Sequence, residues 1–167
     1  MYFISHSEEE TKKIGKKIAA GFKGGEVLAL RGDLGTGKTV LAKGIAEGLG
    51  YKGIVNSPTF VLMKIYRVKF RVSNLQFSKK SVYKKENVIN KAIKNICHID
   101  AYRISDAHEI EDIGALEYFL EPSTVSIIEW PEKIKEILPQ NAIFIELGYG
   151  KNEGDRIIRI NEKRGAS

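Results

Sequence analysis

An α/β fold is predicted by three features: apolar runs of strand length, stretches with helical spacing between them, and a glycine-rich turn that joins one strand to one helix. The turn is Gly32-Asp33-Leu34-Gly35-Thr36-Gly37-Lys38-Thr39, with the spacing G-x-x-x-x-G-K-[ST]. Residues 26–30 ahead of it read as a short buried strand. Residues 39–49 after it read as a helix, with Leu41, Ile45 and Leu49 on one face. In that order the glycines let backbone wrap a polyphosphate, the lysine neutralises it and the hydroxyl can ligate Mg²⁺. The N–H groups of the loop and the positive end of the helix converge on one point. The expected fold is therefore a three-layer sandwich of the P-loop NTPase type, with helices on both faces of a mostly parallel sheet. Asp33, Leu34, Gly35, Thr36, Gly37, Lys38 and Thr39 are its nucleotide-binding residues.

The other elements follow in chain order. Ser7-Glu8-Glu9-Glu10 has capping-box spacing and opens a helix from about residue 7 to 22, whose stripe of Ile14, Ile18 and Phe22 is expected to lie against the sheet. Gly24-Gly25 ends it. Ser57-Pro58 biases the chain away from helix, so residues 54–59 read as a loop and 60–66 as an extended segment. Thr59 in that loop is either turn chemistry or a hydroxyl able to reach a metal or the γ-phosphate, as in nucleotide switches. Residues 67–95 read as a hairpin-like excursion, with Val68, Phe70 and Val72 alternating and 88–94 at helical spacing.

Residues 96–100 form an apolar run ending in Asp100, and 105–113 read as an acidic helix that Gly114 separates from 116–120. A second apolar run, 125–128, ends in Glu129. Pro131 suits the first turn of a helix over 132–138. Residues 142–147 and 156–160 read as two strands of an antiparallel hairpin around a glycine-rich turn.

A length of 167 residues predicts one domain spanning 1–167, with the basic excursion at about 67–95 as an insertion. The net charge of +6 is not spread evenly. The segment 64–94 holds ten basic residues and one acid, a balance of +9. That leaves 17 basic and 20 acidic residues elsewhere, a balance of −3. Such a run is either a solvated face or a surface for RNA phosphates, with Phe77 and Tyr83 available to stack. The single cysteine, Cys97, excludes an internal disulfide framework and sits in an apolar run as a small core residue. No apolar segment approaches the roughly 20 residues of a membrane span, and residues 1–4 are too short for a signal peptide. A cytoplasmic protein without membrane contact is expected.

A P-loop needs an acid at the carboxyl end of a neighbouring strand to help hold Mg²⁺ opposite Thr39. Asp100 and Glu129 both qualify. Glu129 follows the cleaner apolar run and is the expected metal ligand with Thr39, leaving Asp100 to orient or deprotonate the attacking water; the two roles are exchangeable. His98 and Tyr102 alternate with Asp100 and share its face if the strand continues. His98 is either a satisfied structural histidine or an acid–base group. Arg103 could stabilise γ-phosphate charge or pair with the acidic helix, and Trp130 lies near the site through Glu129.

Taken in order, the P-loop, Ser57-Pro58-Thr59-Phe60, His98-x-Asp100-x-Tyr102-Arg103 and Glu129-Trp130-Pro131 closely resemble the TsaE (YjeE) family. The resemblance covers nearly the whole chain except the middle excursion. It implies a mixed sheet and an ATPase with ATP and Mg²⁺ as cofactors and slow hydrolysis. It also implies action with TsaD and TsaB in transferring a threonylcarbamoyl group to adenosine 37 of tRNA. By motif, Thr39 and Glu129 would be the Mg²⁺ ligands, Lys38 the phosphate contact, Asp100 essential to hydrolysis, and Thr59 part of a switch-like loop. The chain departs from the family pattern at the basic excursion, where relatives have a short turn; the excursion is expected to meet tRNA phosphates or an acidic partner face. A small-molecule or nucleotide kinase is the alternative reading, since a P-loop domain of this size also suits phosphoryl transfer to an acceptor. No Asn-Lys-x-Asp guanine-reading motif occurs.

Overall fold

The structure, a computed structural model, describes residues 1–68 and 93–161. Residues 69–92 of the predicted excursion, with most of its helical spacing at 88–94, lie outside the described residues, and Ile93 and Lys94 belong to no helix. Within them the strands are β1 (Tyr2–Ser5), β2 (Val27–Arg31), β3 (Met63–Arg67), β4 (Asn95–Asp100), β5 (Thr124–Glu129), β6 (Ile143–Tyr149) and β7 (Arg156–Asn161). They form one sheet in the order β1-β7-β6-β2-β5-β4-β3. The middle strands β6, β2, β5 and β4 are parallel, while β3 and the β1-β7-β6 side pair antiparallel. The expected mixed sheet and C-terminal hairpin are both present.

Central strands of a parallel sheet are covered on both faces, so they read as unbroken apolar runs. Every residue of β5 is buried. Leu28, Leu30, Val125 and Ile127 face a core shared with α1 (Glu8–Ala19) and α2 (Lys38–Gly48). Cys97, Ile99 and Ile128 face a second core under α3 (His108–Asp112), α4 (Ala115–Leu120) and a 3-10 helix at Pro131–Ile137. Side chains alternate along a strand. His98 and Asp100 therefore fall on the same face as Ile96, and Glu129 on the face of Ile127, which is the face carrying α2.

Four elements differ from the sequence reading. β1 was not foreseen: four residues with Tyr2 and Ile4 exposed carry little signal, and the strand exists by pairing with β7 from Tyr2↔Arg159 to Ser5↔Arg156. β3 begins at Met63, not residue 60, because Pro58–Leu62 form turns and Leu62 has φ 61°. The helix expected at 132–138 is 3-10 in type and breaks at Ile134 (φ −132°). Finally, α1 packs chiefly on α2, with Ile14, Ile18 and Phe22 reaching the core behind it.

The α1–α2 contact explains a glycine. A Cβ at Gly44 would stand 2.3 Å from the Lys12 carbonyl oxygen, so the helices meet backbone to backbone. Gly44→Ala is expected to lower unfolding stability by about 1–3 kcal/mol through overpacking. Gly148→Ala, where nothing lies within 4 Å, should change it by less than about 0.5 kcal/mol; urea unfolding of the two variants checks the contrast.

Candidate functional site

Residues 32–37 join β2 to α2, and Gly37, the residue before the helix, has φ 95°. That left-handed conformation is open to glycine without strain and turns the chain so that α2 starts at Lys38. The parallel register sets Leu30 beside Glu129 and Glu129 beside Asp100. The two acids and the loop thus emerge at one sheet edge, around a cavity of about 500 Å³.

At its centre Thr39 Oγ1 lies 3.0 and 2.9 Å from the two oxygens of Glu129. Glu129 Oε1 also accepts a bond from His98 Nε2 at 2.8 Å, and both side chains are almost wholly buried. The carboxylate only accepts, so Nε2 carries the hydrogen. Nδ1 of His98 has no partner among the described residues. Thus His98 is bonded to the acid through one ring nitrogen.

Asp100 is held just as firmly. Its Oδ2 accepts from Ser57 Oγ at 2.6 Å and from Thr59 Oγ1, while Oδ1 accepts from the Tyr102 N–H at 3.0 Å. β4 stops at Asp100, so Tyr102 reaches the site from a turn, its ring tilted against that of Trp130 with centroids 5.0 Å apart. Trp130 (φ 60°, ψ 50°) is one of two non-glycine residues with positive φ among those described. Such strain costs on the order of 1–3 kcal/mol and persists only where surroundings impose it. Here it lays the indole 3.9 Å from the Lys38 ammonium.

Lys38 Nζ donates to the carbonyls of Gly32 at 2.6 Å and Asp33 at 2.9 Å. Burial pushes its pKa below the usual lysine range, opposed by the charges of Glu129, Glu132, Asp100 and Asp33.

Of the residues singled out in the sequence, Leu34, Gly35, Gly37, Lys38, Thr39, Thr59, Asp100 and Glu129 line the cavity together. Asp33 and Thr36 do not: Asp33 is exposed, and the buried Thr36 turns its hydroxyl to the Asp33 carbonyl at 2.8 Å. Arg103 lies over the Phe60 ring at 4.3 Å and is outside the lining. Cys97 is a core residue whose thiol burial pushes up to about 12.

The sequence reading missed Ser57 and a whole wall made by Ser7, Glu8 and Thr11 of the α1 start with Gly154 and Arg156 of the C-terminal hairpin. The spacing Ser-x-Thr at 57–59 was the available signal for Ser57. The far wall had none, because its two parts are about as distant in sequence as the chain allows.

The family profile described as "Threonylcarbamoyl adenosine biosynthesis protein TsaE" matches residues 5–158. The chain belongs to the TsaE family. A TsaE protein of Bacillus subtilis is 42% identical over 147 residues, covering 88% of this chain and 75% of the relative. One from Treponema pallidum is 29% identical over 147 residues, covering 88% and 90%. The crystal structure of Bacillus subtilis YdiB superposes with a TM-score of 0.67 at 31% identity, covering 97% of this chain and 84% of that one. The TsaE family is one of threonylcarbamoyladenosine biosynthesis, so tRNA processing is the setting of this chain. Among the described residues no helix is long and apolar enough to cross a membrane.

The donors suit a hard cation. No group of three or more His, Cys, Asp or Glu side chains forms a metal cage among the described residues. Mg²⁺, however, is commonly held by one or two carboxylates plus substrate phosphates and water. Thr39 and Glu129 are the residues here that could contribute to such a shell.

The far wall carries a titratable link. His6 Nδ1 lies 2.8 Å from Asp155 Oδ1. The bond to Asp155 raises the His6 pKa above 6.5, and the bond to His6 holds Asp155 below 3.8. The histidine contribution is complete below pH 6.5 and lost as pH rises through its folded pKa. The aspartate contribution is complete above pH 3.8 and lost as pH falls through its own. Urea midpoints should therefore decline from pH 6 to pH 8.5, and the decline should be shallower in His6→Asn.

Proposed function

We propose that this chain is a Mg²⁺-dependent ATPase of low intrinsic rate that supports threonylcarbamoyl transfer to adenosine 37 of tRNA, together with TsaD and TsaB type proteins. The observation that carries the reading is the convergence of Lys38, Thr39, Glu129 and Asp100 on one cavity beside a glycine loop. The whole chain, 1–167, is read as one ATPase domain carrying the basic insertion at about 67–95, working in the cytoplasm.

In this reading ATP places its phosphates against residues 33–39. Lys38 exchanges its two loop carbonyls for phosphate oxygens, and Trp130 keeps the ammonium in place while it does so. Thr39 and Glu129 would hold the metal, and His98 fixes the Glu129 carboxylate through Oε1. A metal held there would supply neutralisation of the charge that develops during phosphoryl transfer. Asp100 accepts three bonds, and a carboxylate has about four acceptor sites. It therefore retains capacity to orient the attacking water, with Ser57 and Thr59 setting its angle. The wall of Ser7, Glu8, Thr11, Gly154 and Arg156 is left for the nucleoside. The +9 balance of residues 64–94 supports a contact with tRNA phosphates.

ATP hydrolysis measured with Mg²⁺, alone and with TsaD, TsaB and tRNA, tests the reading. Glu129→Gln and Thr39→Ala should each reduce kcat by at least about 100-fold, and EDTA should do the same to the wild type. Lys38→Ala should weaken ATP binding. Phosphate transfer to a small acceptor, with no response to the partners, would instead establish a kinase. Deleting residues 71–90 should lower tRNA affinity at low salt; unchanged affinity would remove the insertion from the tRNA contact.

A further inference from the structure

The C-terminal hairpin does more than extend the sheet. Its Tyr149 and Arg156 are cross-strand partners at the turn end of β6 and β7, with the guanidinium over the phenol ring at 5.0 Å. The Tyr149 hydroxyl donates to the Leu34 carbonyl at 2.5 Å, and Arg156 Nη2 donates to the Gly35 carbonyl at 3.2 Å. Arg156 Nη1 is itself anchored on the carbonyls of Glu153 at 2.9 Å and Asp155 at 2.8 Å. Two adjacent peptide groups of the glycine loop are therefore gripped by one pair of side chains more than 110 residues away.

The direction of the grip matters. In a trans peptide the C=O of one residue and the N–H of the next point in opposite directions. Holding the Leu34 carbonyl toward the hairpin turns the Gly35 N–H away from it. Gly35 lines the cavity, and among the described residues its N–H donates to no backbone carbonyl, whereas the N–H of the next peptide, that of Thr36, donates to the Asp33 carbonyl at 3.3 Å. Gly35 has φ +79°, and a Cβ there would meet the Tyr149 hydroxyl at 3.1 Å, so the loop and the ring are fitted to each other. A glycine loop is flexible by composition, and unbound it would sample peptide orientations that aim carbonyls at the anion.

We propose that Tyr149 is a positioning residue for phosphate binding: with Arg156 it locks the Leu34 and Gly35 peptides so that the loop presents the Gly35 N–H to the polyphosphate. This rests on the nucleotide reading above and deepens it. Tyr149 is outside the cavity lining, so it acts through the loop. Arg156 lines the cavity and could contact ligand directly, which makes Tyr149 the cleaner probe.

The experiment is Tyr149→Phe in the full chain, which keeps the ring and removes only the hydroxyl, with Tyr2→Phe as a surface control. A positioning role predicts Kd values for MgATP and MgADP raised together by about three- to tenfold, the scale of one lost hydrogen bond. KM for ATP should rise with them while kcat stays within about twofold, because the loop holds phosphate alike in ground and transition states. The thermal midpoint should move by less than about 2 °C, and Tyr2→Phe should match the wild type throughout. Wild-type affinity in Tyr149→Phe, or a lower midpoint with unchanged Kd, overturns the proposal. A wild-type chain that binds neither nucleotide overturns it along with the nucleotide reading, so the two failures are told apart.

Discussion

Parallel pairing between β2 and β5 is the constraint on which the rest of the molecule depends. Leu30 stands beside Glu129 in that register, so the strand that delivers the glycine loop and the strand that delivers the buried acid end at the same level. Thr39, in the first turn of α2, then meets the Glu129 carboxylate within 3.0 Å. A one-residue slip of β5 would turn Glu129 into the opposite core and bring an apolar side chain to Thr39. The apolar residues on both faces of β5 resist such a slip, so core packing is what holds the chemistry in register.

The site shows how buried polar groups are kept when a fold needs them. Glu129, His98 and Asp100 are nearly or wholly inaccessible, a placement that is unfavourable unless the groups are paired. Glu129 is satisfied by Thr39 and His98, and Asp100 by Ser57, Thr59 and the Tyr102 N–H. The acids thus have separate supporting groups. Glu129 is tied to the fixed helix and sheet, whereas two of the three donors to Asp100 belong to the loop after Asn56. Movement of that loop would change the surroundings of Asp100 and leave Glu129 as it is.

Two remote segments complete the cavity. β1 and the start of α1 come from one end of the chain and the hairpin from the other, and β1 pairs with β7 while His6 bonds to Asp155. The same hairpin grips the glycine loop through Tyr149 and Arg156. The floor of the cavity, the loop itself and the far wall are in this way one connected body, although their residues are scattered over most of the chain.

The sequence by itself determined the α/β class, the loop with Lys38 and Thr39, both strand-end acids and the hairpin, because these depend on local spacing: a glycine where φ must be positive, alternation along a strand, an acid after an apolar run. It also carried the ordered motifs that place the chain in its family. Tertiary structure alone decided that β1 is a strand, that α1 lies on α2, that His98 serves Glu129 and that Ser57 serves Asp100. It alone decided, too, that the C-terminal hairpin braces a loop more than 110 residues before it. Each of these rests on contacts between residues far apart in sequence. Tyr2–Ser5 has too little apolar alternation to declare a strand, and nothing beside Tyr149 marks it as a donor to Leu34. Their partners are supplied by the sheet order, which single-chain periodicity does not encode.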